Sequence, residues 1–186
     1  MPIEVEIRSF ITKEQYEKLL FFFNQNPSAK LEKEDYQETF YFDCKEDLRI
    51  QKNNSYSKVW LKRGLVDGKF HDGHREEIEL KFNRDKFEEM EKLFLALGYG
   101  VECKWFRKRH MFSWKEITVC LDYTRDYGYI IELEKLCPDT TSKEKRDNEF
   151  ENLKKNLTEL NIELTPSEVF EQRYLEYKKN WKNLVQ

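Results

Sequence analysis

The 186-residue chain has no run of about 18 apolar residues, so no membrane-spanning helix is expected. It has no Cys-x-x-Cys pair. Its four cysteines (Cys44, Cys103, Cys120 and Cys137) are scattered, which argues against a structural zinc site. No basic n-region or apolar h-region opens the sequence, so no signal peptide is expected. Free thiols in a reducing cytoplasm are therefore the reading for the cysteines. Nor is there an excess of one charge. With 33 basic and 36 acidic residues the formal net charge is -3, which disfavours a general nucleic-acid binder. There is no low-complexity segment, no repeat and no domain linker, and the length suits a single domain over 1–186 with a sizeable core.

What is present in quantity is charge, at 37% of residues, arranged in alternation with apolar side chains. The first strand, Ile3 to Arg8, sets Ile3, Val5 and Ile7 on one face and Glu4, Glu6 and Arg8 on the other. Arg75, Glu77, Glu79 and Lys81 repeat the pattern against Ile78, Leu80 and Phe82. Glu132 and Glu134 repeat it against Ile131 and Leu133. Strands that are ionic on one face and apolar on the other predict a barrel with a charged interior and helices outside. The expected fold is α+β, a closed eight-stranded antiparallel β-barrel, or tunnel, with helices packed outside.

Along the chain, Thr12 and Gln15 form a capping box ahead of an apolar stripe of Tyr16, Leu19, Leu20 and Phe23. Asn26-Pro27 ends that helix, and a charged linker follows. Strands are expected at 37–43, 48–51 and 57–63, with Arg49 and Gln51 on one face of the second, and Lys58, Trp60 and Lys62 on one face of the third. Gly64 to Gly73 is a loop. The His71 and His74 pair at its end reads as loop surface before metal site. Asp85 with Glu88 predicts a second capping box, and Gly98 a helix stop. Further strands are expected at 102–114, 117–123 and 129–136. A helix is marked by Phe150, Leu153, Leu157 and Leu160, and a last one starts at Thr165-Pro166-Ser167-Glu168. His110 reads as a surface histidine.

The candidate inward acids are Glu4, Glu6, Glu77, Glu79, Asp122, Glu132 and Glu134. The bases are Arg8, Arg49, Lys58, Lys62, Arg75, Arg107 and Arg109. Burying so many charges costs several kcal/mol each unless they are paired or hydrated, on the order given by ion desolvation. One reading is that these faces are simply solvated, with weak surface ion pairs. The other is a wet interior built for a ligand. Glu-x-Glu occurs in three separate strands, and this favours the second. Arg and Lys suit phosphate oxygens, and carboxylates suit a hard divalent cation, so a metal-bound polyphosphate satisfies both.

The ordered motifs resemble a known family. Glu4-x-Glu6-x-Arg8 is similar to the N-terminal Glu-x-Glu-x-Lys signature of the CYTH superfamily, the triphosphate tunnel metalloenzymes. Leu48-Arg49-Ile50, Trp60-Leu61-Lys62, Arg75-x-Glu77-x-Glu79, Arg107-x-Arg109 with Phe112, Leu121-Asp122 and Gly128 to Glu134 resemble its later strands in order. The resemblance implies a tunnel that binds a triphosphate with Mg²⁺ or Mn²⁺. It implies metal-side carboxylates at Glu4, Glu6, Glu132 and Glu134, with Asp122, Glu77 and Glu79 nearby. Phosphate contacts would come from Arg8, Arg49, Lys62, Arg75, Arg107 and Arg109, with Lys58 added by alternation. Glu4, Glu6 and Arg8 are the catalytic candidates. Three positions depart from the family pattern: Arg8 stands for Lys, Gln51 for a second Arg, and Phe112 for Tyr. An arginine keeps the charge of a lysine but scarcely deprotonates, which disfavours a general base there.

The resemblance leaves the reaction open. Water as nucleophile gives hydrolysis of a tripolyphosphate or an organic triphosphate. A ribose hydroxyl aligned on the α-phosphate of ATP gives cyclic AMP and pyrophosphate, as in the class IV adenylyl cyclases. A third reading is a nucleotide or polyphosphate sensor without turnover. The expected partner is a small-molecule triphosphate, with no membrane or nucleic acid, and a homodimer is possible on general grounds.

Overall fold

The computed structural model describes residues 3–63, 76–138 and 140–184, and the side chains of residues 62, 63, 76 and 77 are outside that description. The elements are β1 (Ile3–Ile11), α1 (Lys13–Gln25), β2 (Ala29–Phe42), β3 (Asp47–Lys52), β4 (Ser57–Arg63), β5 (Glu76–Phe82), α2 (Phe87–Ala96), β6 (Val101–Trp114), β7 (Ile117–Thr124), β8 (Gly128–Cys137), α3 (Lys143–Glu159) and α4 (Ser167–Leu184). The strands form an eight-stranded sheet in the order β1-β8-β7-β6-β2-β3-β4-β5. The architecture is α+β. The chain divides into two compact units, one of Met1–Glu34 with Lys108–Arg173, the other of Asp35–Arg107 with Tyr174–Gln186. No helix among the described residues is long and apolar enough to cross a membrane.

In the first unit β1 pairs antiparallel with β8, and β8 with β7. Alternation does what the sequence implies. Ile7, Ile11, Val119, Leu121, Ile131 and Leu133 fill a core with Phe23 of α1 and Leu153 and Leu157 of α3. The predicted capping box is present: the Thr12 hydroxyl accepts from the Gln15 amide, and the Gln15 side chain accepts from the Thr12 amide. Of the three consecutive phenylalanines, Phe23 is buried and stacks on Phe112 with centroids 5.3 Å apart, while Phe21 and Phe22 are exposed. The Thr165 hydroxyl, just ahead of α4, accepts from the Phe10 amide at 3.0 Å, and its own amide donates to Ser9 Oγ at 2.9 Å.

In the second unit β3 pairs antiparallel with β4, and β4 with β5. Phe40, Phe42, Leu48 and Ile50 pack on Phe87, the first residue of α2. Here one expectation fails. The apolar face of β5 is not covered by a helix: Ile78 and Leu80 are exposed at 40% and 63%.

Three further readings are corrected. The charged stretch taken as a linker is the first half of β2, most of whose side chains from 29 to 36 are exposed, so no apolar alternation marks it. Asp85 does not cap α2. It lies in a 3-10 turn, Arg84–Lys86, and neither that turn nor α2 has a side-chain cap hydrogen bond. His110 is buried, because Arg107 and Arg109 take one face of β6 and His110 shares the other with Phe112 and Trp114. Its Nδ1 lies 3.0 Å from the Tyr16 hydroxyl and its Nε2 lies 3.5 Å from Glu34.

Candidate functional site

The first unit gathers most of the acids. Antiparallel register places Glu6 opposite Glu134 and Arg8 opposite Glu132 across β1 and β8, and Cys120 opposite Glu132 across β7 and β8. One carboxylate oxygen from each of Glu4, Glu6 and Glu134 falls within 4.8 Å of the others. Cys120 Sγ with Glu132 and Glu134 makes a second such set. Glu4 and Glu6 are exposed, Glu132 and Glu134 half-buried, and Cys120 fully buried.

The charges in this cluster shape one another. Glu134 is pushed up to about 8 by burial first, then by Glu132 and Glu4 and, in smaller part, Glu6; Arg109 opposes the shift. Burial likewise raises the Cys120 thiol well above its ordinary value, with Arg109 opposing. Arg109 is committed within the cluster. Its Nε donates to Asp122 Oδ1 at 2.8 Å and its Nη2 to Asp122 Oδ2 at 2.6 Å, and Nη2 also donates to Glu132. Burial opposes the Arg109 charge, but Glu132 and Asp122 outweigh it and hold the group above the usual arginine range. Arg8 lies with its guanidinium carbon 4.5 Å from the centroid of the buried Phe170 ring, which itself stacks on Phe10.

The donor chemistry of Glu4, Glu6 and Glu134 fits a hard divalent cation, which takes oxygen ligands and needs few from the protein. Cys120 adds one soft atom that alternation could have revealed, since it stands two residues before Asp122 on the same face of β7.

The second unit carries a set of cations set among aromatic rings. Arg49 donates from Nε to Asp47 Oδ1 at 2.6 Å and from Nη2 to Asp47 Oδ2, and lies over the Tyr41 ring at 4.6 Å. Burial opposes its charge, but Tyr41 and Asp47 outweigh this and hold it above the usual arginine range. Lys58 donates to Glu79 at 2.8 Å and sits 4.1 Å over the Trp60 ring. Gln51 donates to the Thr39 hydroxyl at 2.9 Å, in a buried contact. Arg107 donates to Gln37 Oε1 from Nε at 2.9 Å and from Nη2 at 2.6 Å. Lys62 and Glu77 are opposite one another across β4 and β5, and their side chains lie outside the described residues. So do Arg75, His71 and His74.

Each unit sets charged side chains on its own strands: carboxylates beside arginine in the first, arginine and lysine in the second. The chain belongs to the CYTH domain family, whose model matches residues 2–167. No curated protein matches the sequence. Among solved structures, the PH1819 protein of Pyrococcus horikoshii OT3 is similar at 22% identity with a TM-score of 0.66, covering 91% of this chain and 99% of that one. A conserved hypothetical protein from Pyrococcus furiosus is similar at 21% identity with a TM-score of 0.64, covering 87% and 92%. A candidate adenylate cyclase from Vibrio parahaemolyticus is similar at 14% identity with a TM-score of 0.61, covering 85% and 88%. At these identities the likeness is one of fold.

Proposed function

We propose that this protein is a divalent-metal-dependent triphosphatase, acting on tripolyphosphate or on a nucleoside or other organic triphosphate. The observation that carries the reading is the approach of Glu4, Glu6 and Glu134 to within 4.8 Å of one another, across the β1–β8 register. Those three carboxylates, with Glu132, would hold Mg²⁺ or Mn²⁺. A cation held there would supply positive charge against the negative charge that develops on a phosphoryl group.

The chain's own residues supply binding and orientation. Arg8 is steadied by the Phe170 ring and presents a fixed charge for a phosphate oxygen. In this reading Arg109 acts chiefly by positioning Asp122 and Glu132, since its Nε and Nη2 already donate to them. Arg49 and Lys58 would grip phosphate, with Arg107, Lys62 and Arg75 as further contacts and Glu77 and Glu79 as further carboxylates. Asp47 and Tyr41 fix the rotamer of Arg49 ahead of binding. Closure of the eight-stranded sheet into a tunnel, as a single domain, is part of the same proposal and rests on the family resemblance. The four free thiols suit a reducing, cytoplasmic setting.

A second reading is an adenylyl cyclase that makes cyclic AMP and pyrophosphate from ATP. It is favoured by the fold likeness to two candidate adenylate cyclases, from Vibrio parahaemolyticus and Bacillus halodurans. One experiment separates them. Purified protein is incubated with Mg²⁺ or Mn²⁺ and, separately, tripolyphosphate, ATP and thiamine triphosphate, and the products are resolved by anion exchange. Orthophosphate without cyclic nucleotide is the expected result. Cyclic AMP with pyrophosphate establishes the cyclase. Glu4→Ala with Glu6→Ala should abolish turnover in either case, and full activity in that variant sinks the metal site itself.

A further inference from the structure

We propose that the indole N–H of Trp60 is a hydrogen-bond donor to a phosphate oxygen of the bound ligand, which makes Trp60 a ligand contact rather than a packing residue. The inference deepens the triphosphate reading and rests on it.

Trp60 is 7% exposed, and its Nε1 has no hydrogen-bond partner. Among the described residues only the Thr124 hydroxyl shares that condition. A buried N–H left unpaired costs about 1–3 kcal/mol, and such groups in native structures call for an explanation. The surroundings say which kind of partner is missing. On β4 the residue lies opposite Arg49 of β3 and Glu79 of β5. Lys58 Nζ stands 4.1 Å from the ring centroid and the Arg49 guanidinium carbon 5.6 Å. Both neighbours are cations and offer donors alone. The nearby carboxylates are engaged: Asp47 accepts from Arg49, and Glu79 pairs with Lys58 and, at 3.9 Å, Lys81. What the site lacks, among the described residues, is an acceptor not already paired with one of these cations. A phosphate oxygen meets the two cations and the N–H together.

Alternation alone would have made Trp60 a surprise on a charged face. Apolar residues of β4 belong opposite, where Val59 and Leu61 pack on the second core. A tryptophan among lysines gives a donor without a net charge, so it adds a hydrogen bond while the cation count stays unchanged. The proposal names the phosphate chain, not a nucleobase, as the acceptor.

The test uses equilibrium binding of inorganic tripolyphosphate and, separately, ATP, in EDTA so that turnover does not intervene. Wild type and Trp60→Phe are compared by calorimetry. The variant keeps an aromatic ring beside Lys58 and removes the donor together with part of the indole, so the wild-type indole N–H signal is read with it. Weakening of both ligands by about tenfold or more is expected, as for a hydrogen bond to a charged group. Loss confined to ATP overturns the proposal, because it places the contact on the base or sugar. Equal affinity in both proteins also overturns it, as for an N–H satisfied by buried water. No binding by the wild type, either in EDTA or with Ca²⁺ in place of EDTA, fells the polyphosphate reading itself and the inference with it. Should the variant not fold, the wild type still decides. Its Trp60 indole ¹⁵N–¹H signal, assigned by triple resonance, should shift downfield on adding tripolyphosphate, and an unmoved signal counts against the contact.

Discussion

At the scale of single residues, the most consequential arrangement is the pairing of Arg109 with Asp122. The two side chains are 12% and 2% exposed, and the guanidinium meets the carboxylate through two bonds. Removing Asp122 leaves Arg109 its charge partner Glu132 but takes the acceptor from its Nε, so the cost is that of an unmet buried donor. Asp122→Ala should lower unfolding free energy by about 1–3 kcal/mol, measured by urea denaturation. His110 offers a pH signature of different origin. Burial holds its pKa below the ordinary value, against the raising effect of Glu34. The unfolded chain therefore binds a proton that the folded chain refuses. The stability contribution of the neutral ring is present above the unfolded value of about 6.5 and is lost as pH falls below it. Thermal melts should show this acid-side decline. In His110→Gln the decline should shrink, and an identical profile in the variant would place its cause elsewhere.

At the scale of elements, alternation carried the strands well, because one face of most of them is apolar and packed. It bracketed residues 115 and 116 as a two-residue hairpin gap although neither is Gly or Asn. Both have positive φ, 49° at Lys115 and 60° at Glu116. Lys115 also reaches the Glu159 carboxylate at 2.7 and 2.6 Å, whereas the Glu116 carboxylate, 92% exposed, lies 3.6 Å from Lys135, whose Nζ donates at 2.8 Å to the Glu116 carbonyl, a bond that glycine keeps. The left-handed conformation is penalised for residues with a Cβ, and glycine removes that penalty. Glu116→Gly should therefore raise stability by about 0.5–1 kcal/mol, read as an increase in the urea midpoint without a change in slope. What sequence could not show was equally physical. The first half of β2 is largely exposed, so it has no apolar period to read. Asp85 with Glu88 satisfied the spacing of a capping box, but a 3-10 turn intervened and moved the helix start to Phe87. Glu4, Glu6, Glu132 and Glu134 were legible as site candidates from alternation. The engagement of Arg109 by carboxylates of two other strands was not, because it depends on the register between strands.

At the scale of the whole molecule, the acid cluster ties folding, proton binding and cation binding together. Glu134 is pushed up to about 8, with burial as the largest cause and neighbouring carboxylates adding to it. A raised folded-state value means that the native protein binds a proton the unfolded chain releases near 4.5. In metal-free protein this contribution to stability is complete below that value and is lost as pH rises through about 8. A cation reverses the preference, since it must displace that proton to take the carboxylate. Its affinity should tighten by about tenfold per pH unit on approach to that value and level off above it. Cation binding to the folded state alone raises apparent stability with concentration, by about 2.7 kcal/mol at a hundredfold excess over Kd. Mn²⁺ should therefore raise the melting temperature more at pH 8.5 than at pH 6.5, each against an EDTA control. Glu134→Gln has no proton to displace, so its smaller Mn²⁺-induced increase should be the same at both pH values. A Mn²⁺ effect in wild type that is independent of pH, or one that Glu134→Gln leaves intact, would remove Glu134 from the cation site and leave Glu4 and Glu6 without the partner that brings them together.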